Sequence, residues 1–240
     1  MRKSQQITYN TFSIDLISDL SLTITDTFDW SEKQTSLFCV VAGNISSDLT
    51  VLEKTLSHLG DNYRGVLFID GSLEHENIQD YHLRVEQIKT ICKKINNVIY
   101  LHNHVVVLNG IAFIGCNGWY GNRKNSNCIE EIEYLEQYRS EDLYYLTTSI
   151  KKLQNNPEIE KIVIISNSIP SDHLAFNSPN VKFPESLNLT LSLLFDIDYK
   201  VSKWLFGTND ISIDVTLSDR RYVNNPVTPW LIYQPKRIEL

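Results

Sequence analysis

With 240 residues and 42% hydrophobic side chains, the chain is long enough to bury a full core as one domain over 1–240, and no compositional break divides it. Acidic residues outnumber basic ones by 29 to 22, for a net charge of −7, and the Lys pairs Lys93-Lys94 and Lys151-Lys152 form no basic face, so no nucleic-acid partner is expected. No stretch approaches the roughly 20 apolar residues of a membrane span. The opening Met1-Arg2-Lys3-Ser4-Gln5-Gln6 leads into polar alternation and Cys39, Cys92, Cys116 and Cys128 lie far apart, which together point to a cytoplasmic protein with reduced thiols.

Short apolar runs over Phe12 to Ile17, Leu37 to Val41 and Gly65 to Ile69 predict buried strands, each followed at once by a small or polar loop: Ser18-Asp19, Gly43-Asn44 and Asp70-Gly71. Between them, Leu49, Leu52, Leu56 and Leu59 fall at helical spacing within Asp48 to Leu59. A longer stripe of Ile78, Tyr81, Val85, Ile88, Cys92 and Ile95 predicts a second helix. Val105 to Leu108 and Ile111 to Ile114 flank Asn109-Gly110, a strong hairpin signal that inserts an antiparallel pair and makes the sheets mixed. Ile129, Ile132, Leu135, Leu143 and Leu146 mark a third helical region, and Lys161 to Ile165 a strand ending in Ser166-Asn167-Ser168. Glu185 to Tyr199 reads as helix, and Trp204 to Tyr222 as a strand, a turn at Gly207 and a hairpin through Leu217-Ser218-Asp219-Arg220.

Five loop segments carry a common theme. They read Ser18-Asp19-Leu20-Ser21-Leu22, Val41-Ala42-Gly43-Asn44-Ile45, Ile69-Asp70-Gly71-Ser72-Leu73-Glu74, Ile164-Ile165-Ser166-Asn167-Ser168-Ile169-Pro170-Ser171 and Trp204-Leu205-Phe206-Gly207-Thr208-Asn209-Asp210. In order and spacing the set resembles the metal-binding blocks of calcineurin-like metallophosphoesterases: Asp-x-His, Gly-Asp, Gly-Asn-His-Glu or Asp, a His before a Pro loop, and Gly-His-x-His. Ile111 to Trp119, and the closing Val223-Asn224-Asn225-Pro226, look like segments of a small bacterial and phage branch of that superfamily. The resemblance implies an α/β sandwich of two mixed β-sheets flanked by helices. It also implies a site that in the family holds two divalent metals, such as manganese or iron and zinc.

Transferred residue by residue, the site is degenerate. Asp19 keeps the family's identity, while Ser21, Asn44, Ser72, Asn167, Thr208 and Asp210 stand at other ligand positions and Leu73 replaces the His that protonates the leaving group. Two cations about 3.5–4 Å apart need anionic or imidazole donors, and a bridging group must carry charge. Asn44 has none, and Leu73 moves no proton. No cofactor is therefore expected; Asp19, Asn44 and Asp210 remain weak candidates for an oxygen-lined Mg²⁺ or Ca²⁺ site, with turn-holding and solvated loop ends as the plainer reading.

The triplets Glu74-His75-Glu76 and His102-Asn103-His104 read as surface residues, lacking partners at ligand spacing. Arg220-Arg221 reads as a solvated turn, and Trp119, Tyr120, Trp204 and Trp230 as core. The sequence thus points to a pseudophosphoesterase that binds a protein partner or itself, as a regulatory or scaffold domain. The alternatives are a residual single-metal phosphoesterase and a structural subunit of a phage or mobile-element assembly.

Overall fold

The computed structural model describes residues 12–76, 80–118, 129–170, 174, 199–208, 211–227 and 233–240, with the backbone alone for 129–135. In chain order the elements are β1 (Ser13–Ile17), β2 (Phe38–Ala42), α1 (Leu49–Asn62), β3 (Gly65–Ile69), α2 (Tyr81–Lys94), β4 (Val98–Tyr100), β5 (His104–Leu108) and β6 (Ile111–Cys116). There follow α3 (Ile129–Gln154), β7 (Lys161–Ser166), β8 (Val201–Phe206), β9 (Asp214–Leu217), β10 (Arg220–Asn224) and β11 (Lys236–Glu239). They build two mixed sheets, ordered β11-β1-β2-β3-β4 and β5-β6-β7-β8-β10-β9.

Strands β1 to β4 run parallel, with only β11 antiparallel at the edge. Parallel strands are covered on both faces, which is why β2 and β3 read as continuous apolar runs without alternation and even Asp15 of β1 is buried. The inner faces of the two sheets meet through Ile14, Leu16, Val40, Leu67 and Ile69 on one side and Phe113, Val163, Ile165, Leu205 and Val223 on the other. Helices α1 and α2 cover the outer face of the first sheet with Leu52, Leu56, Leu59, Ile88 and Ile91. The second sheet is backed by α3 through Leu146, Ile150 and Leu153, which pack with Ile162, Ile164 and Trp204.

Local chemistry sets the ends of these elements. Asp48 caps α1 by accepting from Thr50 N–H and Val51 N–H, and Asp80 caps α2 by accepting from Leu83 N–H. Asn109 and Gly110 both take positive φ, 52° and 75°, the conformation that a tight β5–β6 hairpin requires. A hydrogen-bonded chain pins α1 and the loop before β2 to β1: Trp30 Nε1 donates to Tyr63 Oη at 2.8 Å, and Tyr63 donates to the buried Asp15 carboxylate at 2.9 Å. Thr35 N–H and Oγ1 donate to the same carboxylate.

The strands and helices expected from the sequence are present to within a few residues where they are described. Two strands escaped it: β4 has three residues, and β11 is a charged edge, Lys236-Arg237-Ile238-Glu239, whose polarity hides a strand while guarding it against further pairing. The helix expected over 185–199 lies outside the described residues except for Tyr199, which sits in a bend. Trp204 is core, as expected, at 3% exposure; Trp119, Tyr120, Trp230 and Cys128 lie outside the described residues. Cys39, Cys92 and Cys116 are buried free thiols. Arg220 departs from expectation, because it is buried at the start of β10 instead of solvated in a turn.

Candidate functional site

The five loop segments converge at the carboxyl ends of β1, β2 and β3 in one sheet and β7 and β8 in the other, the end of an α/β sheet where ligands bind. Asp19, Ser21, Asn44 and Thr208 all take left-handed backbone, at φ 55°, 49°, 58° and 53°. Such conformations are costly for Ser and Thr and persist where surrounding structure imposes them. The loops thus hold a demanding shape around Asp19, Asn44 and Thr208.

Those side chains bond to one another. Asn44 Nδ2 donates to Asp19 Oδ1 at 2.8 Å and to Thr208 Oγ1 at 3.4 Å. Leu73 N–H donates to Asn44 Oδ1 at 2.9 Å, which fixes the orientation of the amide. Thr208 N–H also donates to Asp19 Oδ1, and the Thr208 hydroxyl donates to Asn167 Oδ1 at 2.7 Å. Asn167 Oδ1 further accepts from Ser72 N–H, and its Nδ2 donates to Ala42 O. Six of the eight residues expected at the site therefore form one hydrogen-bonded net: Asp19, Asn44, Ser72, Leu73, Asn167 and Thr208. Ser21 joins at its backbone, donating to Asn44 O at 2.9 Å, while its side chain faces solvent. Asp210 lies outside the described residues. The reading of Asp19 and Asn44 as solvated loop ends is corrected, since their side chains face inward to each other.

Gly71 and Gly207 make the net possible by leaving room for it. A Cβ on Gly71 would stand 2.6 Å from both Asn167 Nδ2 and Asn44 N, and one on Gly207 would meet the Ala42 carbonyl. The backbones must approach this closely, and only glycine allows it.

Beneath the net, Glu74 is fully buried and accepts four backbone N–H groups: Asn44 at 3.0 Å, Gly71 at 2.6 Å, Ile45 at 2.5 Å and Ser46 at 3.1 Å. It ties the second loop to the third. Burial pushes this carboxyl up to about 7 against the pull of those donors. Its reading as a surface residue is corrected; the signal lay in its position, the fourth of the Gly-Ser-Leu-Glu segment.

His75 and His102, also expected at the surface, converge instead on Asp70. His75 Nε2 is 2.6 Å from Asp70 Oδ2, and His102 Nδ1 is 3.6 Å from Asp70 Oδ1, with Asp70 fully buried. Burial alone would raise the Asp70 carboxyl, yet His102 and His75 together hold it well below the ordinary carboxylate range. His75 and His102 stand 27 positions apart and meet around Asp70, and nothing in the sequence pairs them.

A dinuclear metal does not fit the net. The central position is a neutral amide whose N–H group points at the Asp19 carboxylate, where a cation would need an anion. Among the described residues no group of three or more His, Cys, Asp or Glu side chains is placed to hold a metal ion.

No family model matches the chain, and no curated protein matches it in sequence. Solved structures do match in shape. Phosphopantetheinyl hydrolase (PptH) from Mycobacterium tuberculosis superposes with a TM-score of 0.63 over 91% of this chain and 90% of its own, at 13% identity. The fold is the calcineurin-like phosphoesterase sandwich. A second structure with this shape is GAP50, the anchor in the inner membrane complex of Plasmodium, at a TM-score of 0.54 and 11% identity, covering 90% of this chain and 71% of that one. At such identities the likeness is one of fold. Among the described residues no helix is long and apolar enough to cross a membrane.

Proposed function

We propose that this protein is a catalytically inactive pseudophosphoesterase, a calcineurin-like domain that serves as a protein-binding, regulatory or scaffold module. The observation that carries the reading is the Asn44 to Asp19 hydrogen bond at 2.8 Å. An amide N–H supplies the positive partner of the carboxylate, and Thr208 and Asn167 close the rest of the net. The polar groups at the strand ends satisfy each other, which stabilises the loops without a cation.

Catalysis in the manner of the fold also lacks its proton donor. Leu73 stands where that donor belongs and has no titratable atom. The loops, cross-bonded at one end of a well-packed sandwich, offer a suitable platform for a partner. The use of this fold by an anchor protein, GAP50, supports a non-catalytic role for it.

The test is direct. Protein purified with excess Mn²⁺ is analysed for metal and assayed on a generic phosphodiester, alongside a pull-down from its native host. Substoichiometric metal, no turnover and a discrete partner are expected. Stoichiometric metal with metal-dependent turnover overturns the proposal.

A further inference from the structure

Outside the hydrogen-bonded net, the described residues hold a second buried polar cluster, and it joins α3 to the rest of the fold. Asp142, on α3, is 3% exposed and accepts from Gly118 N–H at 2.8 Å, just past the end of β6. One turn earlier, Tyr138 lies against Tyr81 at the start of α2, with ring centroids 3.9 Å apart. Tyr81 in turn packs on His75 at 4.7 Å and on His102 at 6.1 Å. His102 follows β4 in a connector where Asn103 takes φ 44° and His104 N–H closes the turn on Leu101 O. Four separate segments therefore meet at one point.

The charged and titratable groups around the two central residues come from every neighbouring element. His102 faces Asp70 from the end of β3, Asp142 from α3, Lys89 and Tyr81 from α2, and the Tyr100 ring at 5.7 Å from β4. Asp142 faces His102, the Asn103 side chain and Asp70, with the Cys116 thiol of β6 beside it. Asp70 already carries a buried negative charge held by His75 and His102. An ionised Asp142 would place a second anion in the same dry region, at the cost that burial imposes on unpaired charge.

We propose that Asp142 and His102 form a proton-operated latch that fastens α3 to the β4–β5 connector in mildly acidic medium and loosens it as the medium turns neutral to alkaline. Both groups act in the same direction. Burial raises the Asp142 carboxyl from 3.8 to about 6, so its contribution is full below 3.8 and is lost as pH rises through about 6. Burial pulls the His102 imidazole down, but the neighbouring Asp70 more than offsets this and leaves it raised above 6.5. Its contribution is present below 6.5 and is lost as pH rises through the raised value. Loosening α3 uncovers the outer face of the second sheet, where Leu146, Ile150 and Leu153 pack on Ile114 and Ile164.

Amide hydrogen exchange of the intact protein, corrected for intrinsic rates, tests the latch at pH 5 and pH 8. Protection over 136–154 and 98–104 is expected to fall by at least about 10-fold at pH 8, because pH 5 lies about one unit below the raised Asp142 value of about 6. Asp142→Asn keeps the acceptor for Gly118 N–H and carries no charge, so its protection is expected to fall by about 10-fold less than that of the wild type between pH 5 and pH 8, leaving only the share of His102. A carbon-13 titration of the wild-type Asp142 carboxyl, expected near pH 6, needs no variant to fold. Equal pH dependence in wild type and Asp142→Asn, or a carboxyl that titrates near 4, overturns the proposal.

Discussion

Asn44→Asp places a second carboxylate against Asp19 and should destabilise the protein at neutral pH. In the native net, Asn44 Nδ2 donates to Asp19 Oδ1 at 2.8 Å, and a hydrogen bond to a charged group contributes about 1.5–3 kcal/mol. The substitution removes that donor and sets two carboxylate oxygens against each other at a similar separation. Like-charged carboxylates that share a site raise one pKa strongly, and a rise of about two units corresponds to about 2.7 kcal/mol. The two losses sum to about 5 kcal/mol, and solvent screening at these half-buried loops trims the total to about 3. For a chain of this size, a loss of that order lowers Tm by about 6–12 °C. Thermal unfolding at pH 7, at pH 4 and at pH 7 with millimolar Mn²⁺ measures it. A shared proton at pH 4, or a divalent cation at pH 7, should recover much of the loss in the variant and little in the parent. A variant as stable as the parent at pH 7, or a parent that gains several degrees from Mn²⁺, would refute the reasoning.

Glu74→Ala leaves four buried N–H groups without their acceptor and is expected to cost at least about 3 kcal/mol in urea unfolding. Tyr63→Phe breaks the chain from Trp30 Nε1 to the buried Asp15; a loss of about 1–3 kcal/mol is expected in the same assay. Asp70 is depressed below its ordinary value, so its stabilisation is present above that value and lost as pH falls through the folded pKa. Asp70→Asn should therefore destabilise by about 3 kcal/mol at pH 7, with the gap to wild type narrowing in strong acid, as circular dichroism melts at pH 7 and pH 2 would show. Gly71→Ala intrudes on Asn44 and Asn167, and a loss of at least about 1 kcal/mol with disturbed amide resonances for both residues is expected.

Much of the architecture was legible in the chain. Strands β1, β2, β3 and β7 are buried on both faces, so their apolar runs and the polar loops that end them mark strand and loop alike. That Asn44 carries no charge and Leu73 no titratable proton is also visible from residue identity, because such chemistry depends on side-chain type and not on packing. Glu74 was legible in principle, since its place after Gly71 is what aims its carboxylate at the backbone of the neighbouring loop.

Other features exist only in three dimensions. The bonding of Asn44 to Asp19 and of Thr208 to Asn167 joins residues 25 and 41 positions apart, and no local pattern encodes a partner at that separation. The same holds for the meeting of His102 and Asp142 with the Asp70–His75 loop, four residues on three segments. Residue type determined the chemistry available at these loop ends, since the Asn44 amide carries no charge and the Leu73 side chain no titratable proton. The tertiary structure decided what became of the remaining polar groups, because burial makes a hydrogen bond worth forming and only the folded chain sets which groups are buried together.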